Sequence, residues 1–207
     1  MLRVWGRTNS SNVQKVMWAI GELGLAYERI NIGLEFGGND KPAYLALNPN
    51  GLIPTIQDGD FILWESNSII RYLAGKHSRG KLEPRDPKTC ALASQWMDWQ
   101  ISVFQPAFTK TFWGIVRTPS EKRDETVIAE SKAKSASAAK ILDAELSHRA
   151  YLAGDAFSMG DIPMGVFIYR FRQLVPECTR LPNLERWYAS IEKRSAFREH
   201  VGNIPLT

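Results

Sequence analysis

Cysteine is scarce in this chain: there are two in 207 residues, Cys90 and Cys178, far apart and in neither metal nor redox spacing. That excludes a disulfide framework and a Cys-x-x-Cys redox centre, and a reducing, cytoplasmic setting is expected. Histidine is equally sparse. His77, His148 and His200 are scattered and suggest neither a metal site nor a catalytic triad. No apolar run approaches the ~20 residues of a membrane span. The opening MLRVWG lacks the basic start and apolar stretch of a secretory signal, so no membrane partner is expected. Charge of one sign is nowhere concentrated. The 26 basic and 22 acidic residues leave a net +4, and they interleave, as in Glu121-Lys122-Arg123-Asp124-Glu125. This is a solvated helix face and not a phosphate-tracking stripe, so nucleic acid is not an expected partner. Repeats and low-complexity segments are also lacking.

What is present suits a globular protein of one large domain or two small ones, with 44% hydrophobic and 23% charged residues. Leu2 to Gly6 reads as a strand, followed by the polar loop Arg7 to Asn12. A helix then runs from about Val13 to Leu23, with Val16, Met17 and Ile20 on one face and Gly24 as its stop. Tyr27 to Ile32 is a second strand. The opening is therefore a βαβ unit whose strands should be parallel. Gly33 to Asp40 is a glycine-rich loop, and Pro42 to Leu47 a short helix. Lys76 to Pro87 reads as a linker, and everything beyond it as helical. One long helix covers roughly Lys88 to Val116, with a kink near Pro106. Another covers Ser120 to Leu146. Ser158-Met159-Gly160-Asp161 has capping-box spacing and opens a buried run through Leu174. Two shorter helices, Leu184 to Lys193 and Ser195 to Val201, finish the chain.

The most informative stretch is Asn48 to Ala74, NPNGLIPTIQDGDFILWESNSIIRYLA. Asn48-Pro49-Asn50-Gly51 is dense turn chemistry. Thr55 to Gln57 and Phe61 to Leu63 form a hairpin around Asp58-Gly59. Glu65-Ser66 opens a helix carrying Ile69, Ile70, Tyr72 and Leu73 at helical spacing. Pro54 stands where a strand begins, and a cis bond after Ile53 would leave the Ile53 backbone free for an extended peptide. Ser66 beside free N–H groups at a helix start makes a carboxylate site, and Glu65 can hold an ammonium group. An ordinary N-cap is the alternative reading.

These residues carry a resemblance. NP-N-G-x-I-P followed by D-G-x-x-L-x-E-S-x-x-I-x-x-Y-L is similar to the glutathione-site signature of the cytosolic glutathione transferases, and the similarity runs over nearly the whole chain. It implies an α/β plus all-α protein. A thioredoxin-like βαβαββα domain would span residues 1–75, a linker 76–87 and an all-helical domain 88–207. It also implies a homodimer of bacterial theta- or nu-like character, with glutathione as co-substrate and no bound cofactor or metal. By motif match, Ile53 and Pro54 would present the backbone to the cysteinyl part of glutathione, and Glu65 and Ser66 would hold its γ-glutamyl end. Asn39, with Lys41 nearby, would meet the glycyl carboxylate or else be solvated loop.

Thiol activation would fall to the loop after the first strand, at the ligand-binding edge of a parallel sheet. A hydroxyl and the positive helix end there both favour thiolate over thiol. Ser10 is the first candidate, Asn12 the second and Ser11 the third, and one of them could be only an N-cap. No cysteine or tyrosine occupies this loop, which argues against omega-, alpha-, mu- and pi-like chemistry. The acceptor pocket would be hydrophobic and include Phe108, Phe112 and Trp113, although such a stripe also suits plain core. Arg117 is either a contact for an anionic acceptor or a surface residue. The expected reaction is attack of glutathione thiolate on a hydrophobic electrophile. The rivals are a glutathione-dependent disulfide reductase, peroxidase or isomerase on the same site, and a non-catalytic interaction protein.

Overall fold

The protein is described by a computed structural model covering residues 1–178 and 181–207. Strand β1 (Leu2–Trp5) buries Leu2 and Val4 and exposes Arg3, the alternation of a half-covered sheet. It leads into helix α1 (Ser11–Leu23), which Gly24 ends in the left-handed conformation at φ 62°. Strand β2 (Tyr27–Ile30) returns parallel to β1, with Leu2 opposite Tyr27 and Trp5 opposite Ile30. After the short helix α2 (Pro42–Leu45), strands β3 (Thr55–Asp58) and β4 (Phe61–Trp64) form the expected hairpin. Strand β3 pairs antiparallel with β1, giving a mixed four-stranded sheet in the order β2-β1-β3-β4. Helix α3 (Ser66–His77) packs beside α1.

The rest is helical, with two differences from the sequence reading. The long segment is α4 (Pro87–Trp99), a π-helical turn (Gln100–Phe104), α5 (Gln105–Phe112) and a second π-helical turn (Trp113–Arg117). The wider first turn precedes Pro106 and accommodates a residue with no N–H to donate. Helix α6 (Glu125–Leu146) starts later than Ser120, because Ser120–Lys122 is a separate 3₁₀ turn and the Asp124 side chain caps the helix by accepting from Val127 N–H at 3.0 Å. Helices α7 (Asp161–Leu174), α8 (Pro182–Glu192) and α9 (Ser195–Phe197), with a closing π-helical turn (Arg198–Gly202), complete the chain. No helix among the described residues is long and apolar enough to cross a membrane.

Helix α1 has two buried faces. Val13, Val16, Met17 and Ile20 join β1, β3 and α3 in one apolar cluster, while Trp18 and Ala19 belong to the larger cluster of the helical region. The approach of α1 to α7 is close: a Cβ at Gly165 would lie 2.6 Å from the Trp18 ring, so no larger residue fits there. Helix α7 is anchored at its start by Asp161, whose carboxylate accepts from Leu152 N–H at 3.0 Å, Ser158 N–H at 2.9 Å and the Trp187 indole at 2.8 Å. Burial raises the Asp161 pKa to about 6 against the pull of these bonds.

Candidate active site

The Ile53–Pro54 bond is cis. Neither the N–H nor the C=O of Ile53 is used by another group among the described residues, while the neighbouring Leu52 carbonyl accepts from Tyr44 Oη at 2.6 Å and Asn48 Nδ2 at 2.8 Å. The turn is thus braced from behind and leaves one residue's backbone open. Pro54 is buried. Glu65 sits at φ 72°, unusual for a residue with a Cβ, and its side chain stays exposed. Ser66 follows as the first residue of α3 and is 5% exposed.

The Ser66 hydroxyl donates to Asn12 Oδ1 at 3.4 Å. This joins positions 54 residues apart and sets the N-terminal ends of α1 and α3 side by side, so two sets of unpaired N–H groups and two positive helix ends face one place. Asn39 donates to the Gly51 carbonyl at 2.8 Å and braces the turn before Ile53, which occupies one of its two amide hydrogens. Lys41 is exposed and precedes α2.

Ser10 occupies the N-cap position of α1 with an extended backbone, yet its hydroxyl makes no capping bond. A buried hydroxyl at a helix start that does not cap is free for another acceptor. Ser10 and Ser11 both line a cavity of about 270 Å³, whereas Asn12 faces Ser66. Phe108, Phe112 and Trp113 line the same cavity, with Phe167 opposite. They differ in exposure: Phe108 is 1% exposed and packs on Phe104 and Phe171, while Trp113 is 59% exposed. Phe104, on the same stripe, is wholly core.

Several residues at this site escaped the sequence reading. Lys15 on α1 is fully buried, and its ammonium donates to Gln100 Oε1 at 2.7 Å and lies 5.2 Å from the centre of the Phe167 ring. Burial brings its pKa down to about 7, with Glu65 opposing and Arg170 adding. An ammonium only donates, so Gln100 turns its amide N–H toward Gln105 Oε1 at 3.0 Å. That leaves the Gln105 amide hydrogens for the cavity it lines. Arg7 and Arg170 line the cavity as well, beside Arg117, which the sequence had offered either as a contact for an anionic acceptor or as a surface residue. A lysine or arginine in a helix reads as solvated surface unless its distant neighbours are known, and Arg170 lies about 160 residues from the loop it meets. No cluster of metal-ligating side chains occurs among the described residues.

Known proteins resemble this chain across both its sheet-bearing and its helical regions. Residues 1–75 match the family model for the N-terminal domain of glutathione S-transferases, and residues 104–195 match that for the C-terminal domain. The chain is 42% identical over 203 residues to glutathione S-transferase GstB of Escherichia coli, covering 97% of this chain and 98% of that one. It is 33% identical to glutathione S-transferase 3 of Zea mays over 99% of its length and 95% of the relative's. Among solved structures, the theta class glutathione S-transferase of Xanthomonas axonopodis pv. citri with glutathione bound superposes with a TM-score of 0.95. That match is at 47% identity and covers 100% of this chain and 99% of the other. With the sheet, the helical region and the relatives in agreement over almost its entire length, the chain belongs to the glutathione S-transferase family.

Proposed function

We infer that the protein is a glutathione transferase, an enzyme that joins the thiolate of its co-substrate glutathione to the electrophilic carbon of a hydrophobic molecule. The observation that carries this reading is the meeting of Ser66 and Asn12 at two helix starts, beside the open backbone of Ile53 and the aromatic cavity. In this reading Ile53 pairs with the cysteinyl unit, Glu65 and Ser66 hold the γ-glutamyl charges, and Asn39 and Lys41 border the glycyl carboxylate. Pro54 fixes the turn. Ser10 donates to the sulfur, with Asn12 and Ser11 as the alternatives, and Phe108, Phe112 and Trp113 receive the acceptor. Holding sulfur and carbon together while stabilising the anion lowers the barrier. An unperturbed thiol titrates near ~8.5, and lowering it by two units requires roughly 2.7 kcal/mol. One charge-assisted hydrogen bond with the positive end of α1 can supply that.

Reductase chemistry through a mixed disulfide finds no cysteine in the loop. The proposed organisation is a glutathione-binding domain at 1–75, a linker at 76–87 and a helical domain at 88–207, in a cytoplasmic homodimer of bacterial type acting in detoxification. The test is titration with glutathione at neutral pH, following thiolate absorbance in the ultraviolet. A saturable signal is expected, and Ser66→Ala should weaken glutathione binding by at least ~1 kcal/mol, about fivefold. Unchanged affinity in that variant would remove Ser66 from the site, and no binding at all would favour a non-catalytic scaffold.

A further inference from the structure

The cavity beside Ser10 contains an imbalance of charge. Three of its lining residues are arginines, and no carboxylate lines it. Arg170 is 3% exposed, yet its hydrogen-bond partners are neutral oxygens, Gln14 Oε1 at 2.8 Å and Asn9 O at 3.2 Å. Arg7 has a buried Nε with no acceptor. Arg117 makes no ion pair among the described residues, and its guanidinium stands 5.9 Å from the centre of the Phe112 ring, whose other neighbour is Arg170 at 5.6 Å. The three cations converge: burial lowers the pKa of both Arg7 and Arg170, and the charge of Arg117 adds to the effect on each. Glu35 acts on Arg7 but forms no ion pair with it. A buried cation is ordinarily paired, and among the described residues no carboxylate pairs with Arg170, while Arg7 and Arg117 are only half-buried.

We propose that the electrophile conjugated at this site carries an anionic group, such as a carboxylate or sulfonate, on an aromatic body. This rests on the transferase reading above. The aromatic part lies against Phe112 and Trp113, and the anion faces Arg117 and Arg170. One thiolate offsets one of three guanidiniums, so a second negative charge is drawn into the cavity, where a neutral pocket would leave its desolvation uncompensated. Arginine also matches a carboxylate through paired N–H donors. In the step itself the sulfur lone pair forms a C–S bond at the ring carbon bearing a halogen. The C–halogen bond then breaks, halide leaves with its electron pair, and the thiol proton has already gone to solvent. The anionic group of the acceptor takes no part in the bond changes.

The experiment compares chlorodinitrobenzoate, its carboxylate para to the chlorine, with its methyl ester. Each kcat/KM is divided by the uncatalysed rate with glutathione. The benzoate should be favoured roughly tenfold, the lower end of what a hydrogen bond to a charged group is worth. Arg117→Gln should bring the benzoate-to-ester ratio toward one, and Arg117→Lys should keep part of it. A ratio at or below one, with the ester turned over, overturns the anion pocket and leaves the transferase reading standing. An equal loss for both substrates in Arg117→Gln also overturns it, because the cations then serve the thiolate alone. If thiolate forms but neither substrate reacts, inhibition by the two synthetic glutathione conjugates decides: tighter binding of the carboxylate conjugate supports the proposal, and equal binding overturns it. Failure to bind glutathione at all overturns the transferase reading and this proposal with it.

Discussion

Lys15→Met should abolish a pH dependence of stability that the native protein shows on the alkaline side of neutrality. Lys15 is fully buried with one hydrogen-bond acceptor, Gln100, and the face of Phe167. Burial takes its pKa from 10.5 to about 7, which corresponds to roughly 5 kcal/mol against the ammonium form. The folded-state pKa is lowered, so between about pH 7 and 10.5 the unfolded chain binds the extra proton and stability rises with pH. Below that window both states carry the proton and the full cost is present. From about pH 7 to about pH 8.5 the gain integrates to about 1.6 kcal/mol. Other shifted groups act mostly outside this interval, and the early ionisation of the unfolded cysteines takes back only about 0.3 kcal/mol. His200 is lowered from 6.5 and Asp161 lies at about 6, while both cysteines are raised from 9.0 and Arg170 lies at about 10. The assay is urea unfolding at fixed ionic strength and protein concentration across the interval, on wild type and Lys15→Met. Wild-type stability should climb while the variant stays flat within about 0.4 kcal/mol, a quarter of the expected gain. A flat wild type, or a variant that keeps the slope, would refute the assignment of the charge to a dry site.

Ser10→Ala should lower kcat/KM about tenfold to a hundredfold, the value of a hydrogen bond to a charged sulfur, and diminish the thiolate absorbance of bound glutathione. Ser11→Ala should do less, and a reversed order would move the donor to Ser11. Asp161→Ala strands two backbone N–H groups and the Trp187 indole, so thermal unfolding should report a loss of about 3 kcal/mol or more, at least ~1 kcal/mol for each buried donor left unsatisfied. Asp161→Asn keeps an acceptor and should cost less, and equal stability of all three proteins would show that the carboxylate does not anchor α7.

The parts of the fold that local chemistry dictates were legible. Gly24 and the Ser158–Asp161 spacing announce themselves in consecutive residues, and the elements they bound occur where expected, while the hairpin turn falls one residue later than read, at Gly59-Asp60, because Asp58 still pairs with Phe61. The start of α6 was misplaced because Ser120 and Asp124 are both plausible caps, and only the 3₁₀ turn between them decides. At the site, Ser66 and Asn12 were each recognisable, but not their contact. The second buried face of α1 was invisible. Lys15 and Gln14 look like a solvated stripe until the π-helical turn after α4 and helix α7 supply Gln100 and Arg170 as partners. Pocket charge is a sum over residues from three distant segments, and no window of sequence contains it.

The two-faced α1 bears on how relatives of this protein can exchange parts. Recombination between two such genes at the end of the sheet-bearing region would transplant Trp18 without the Gly165 that admits it, and Lys15 without Gln100. Such a hybrid would inherit two well-formed pieces with a mismatched seam. The junction a protein engineer can cross freely is therefore not the linker alone. It must also carry across the surface of α7 that was shaped against α1, so inheritance in this fold follows the packed interface more closely than the order of the chain.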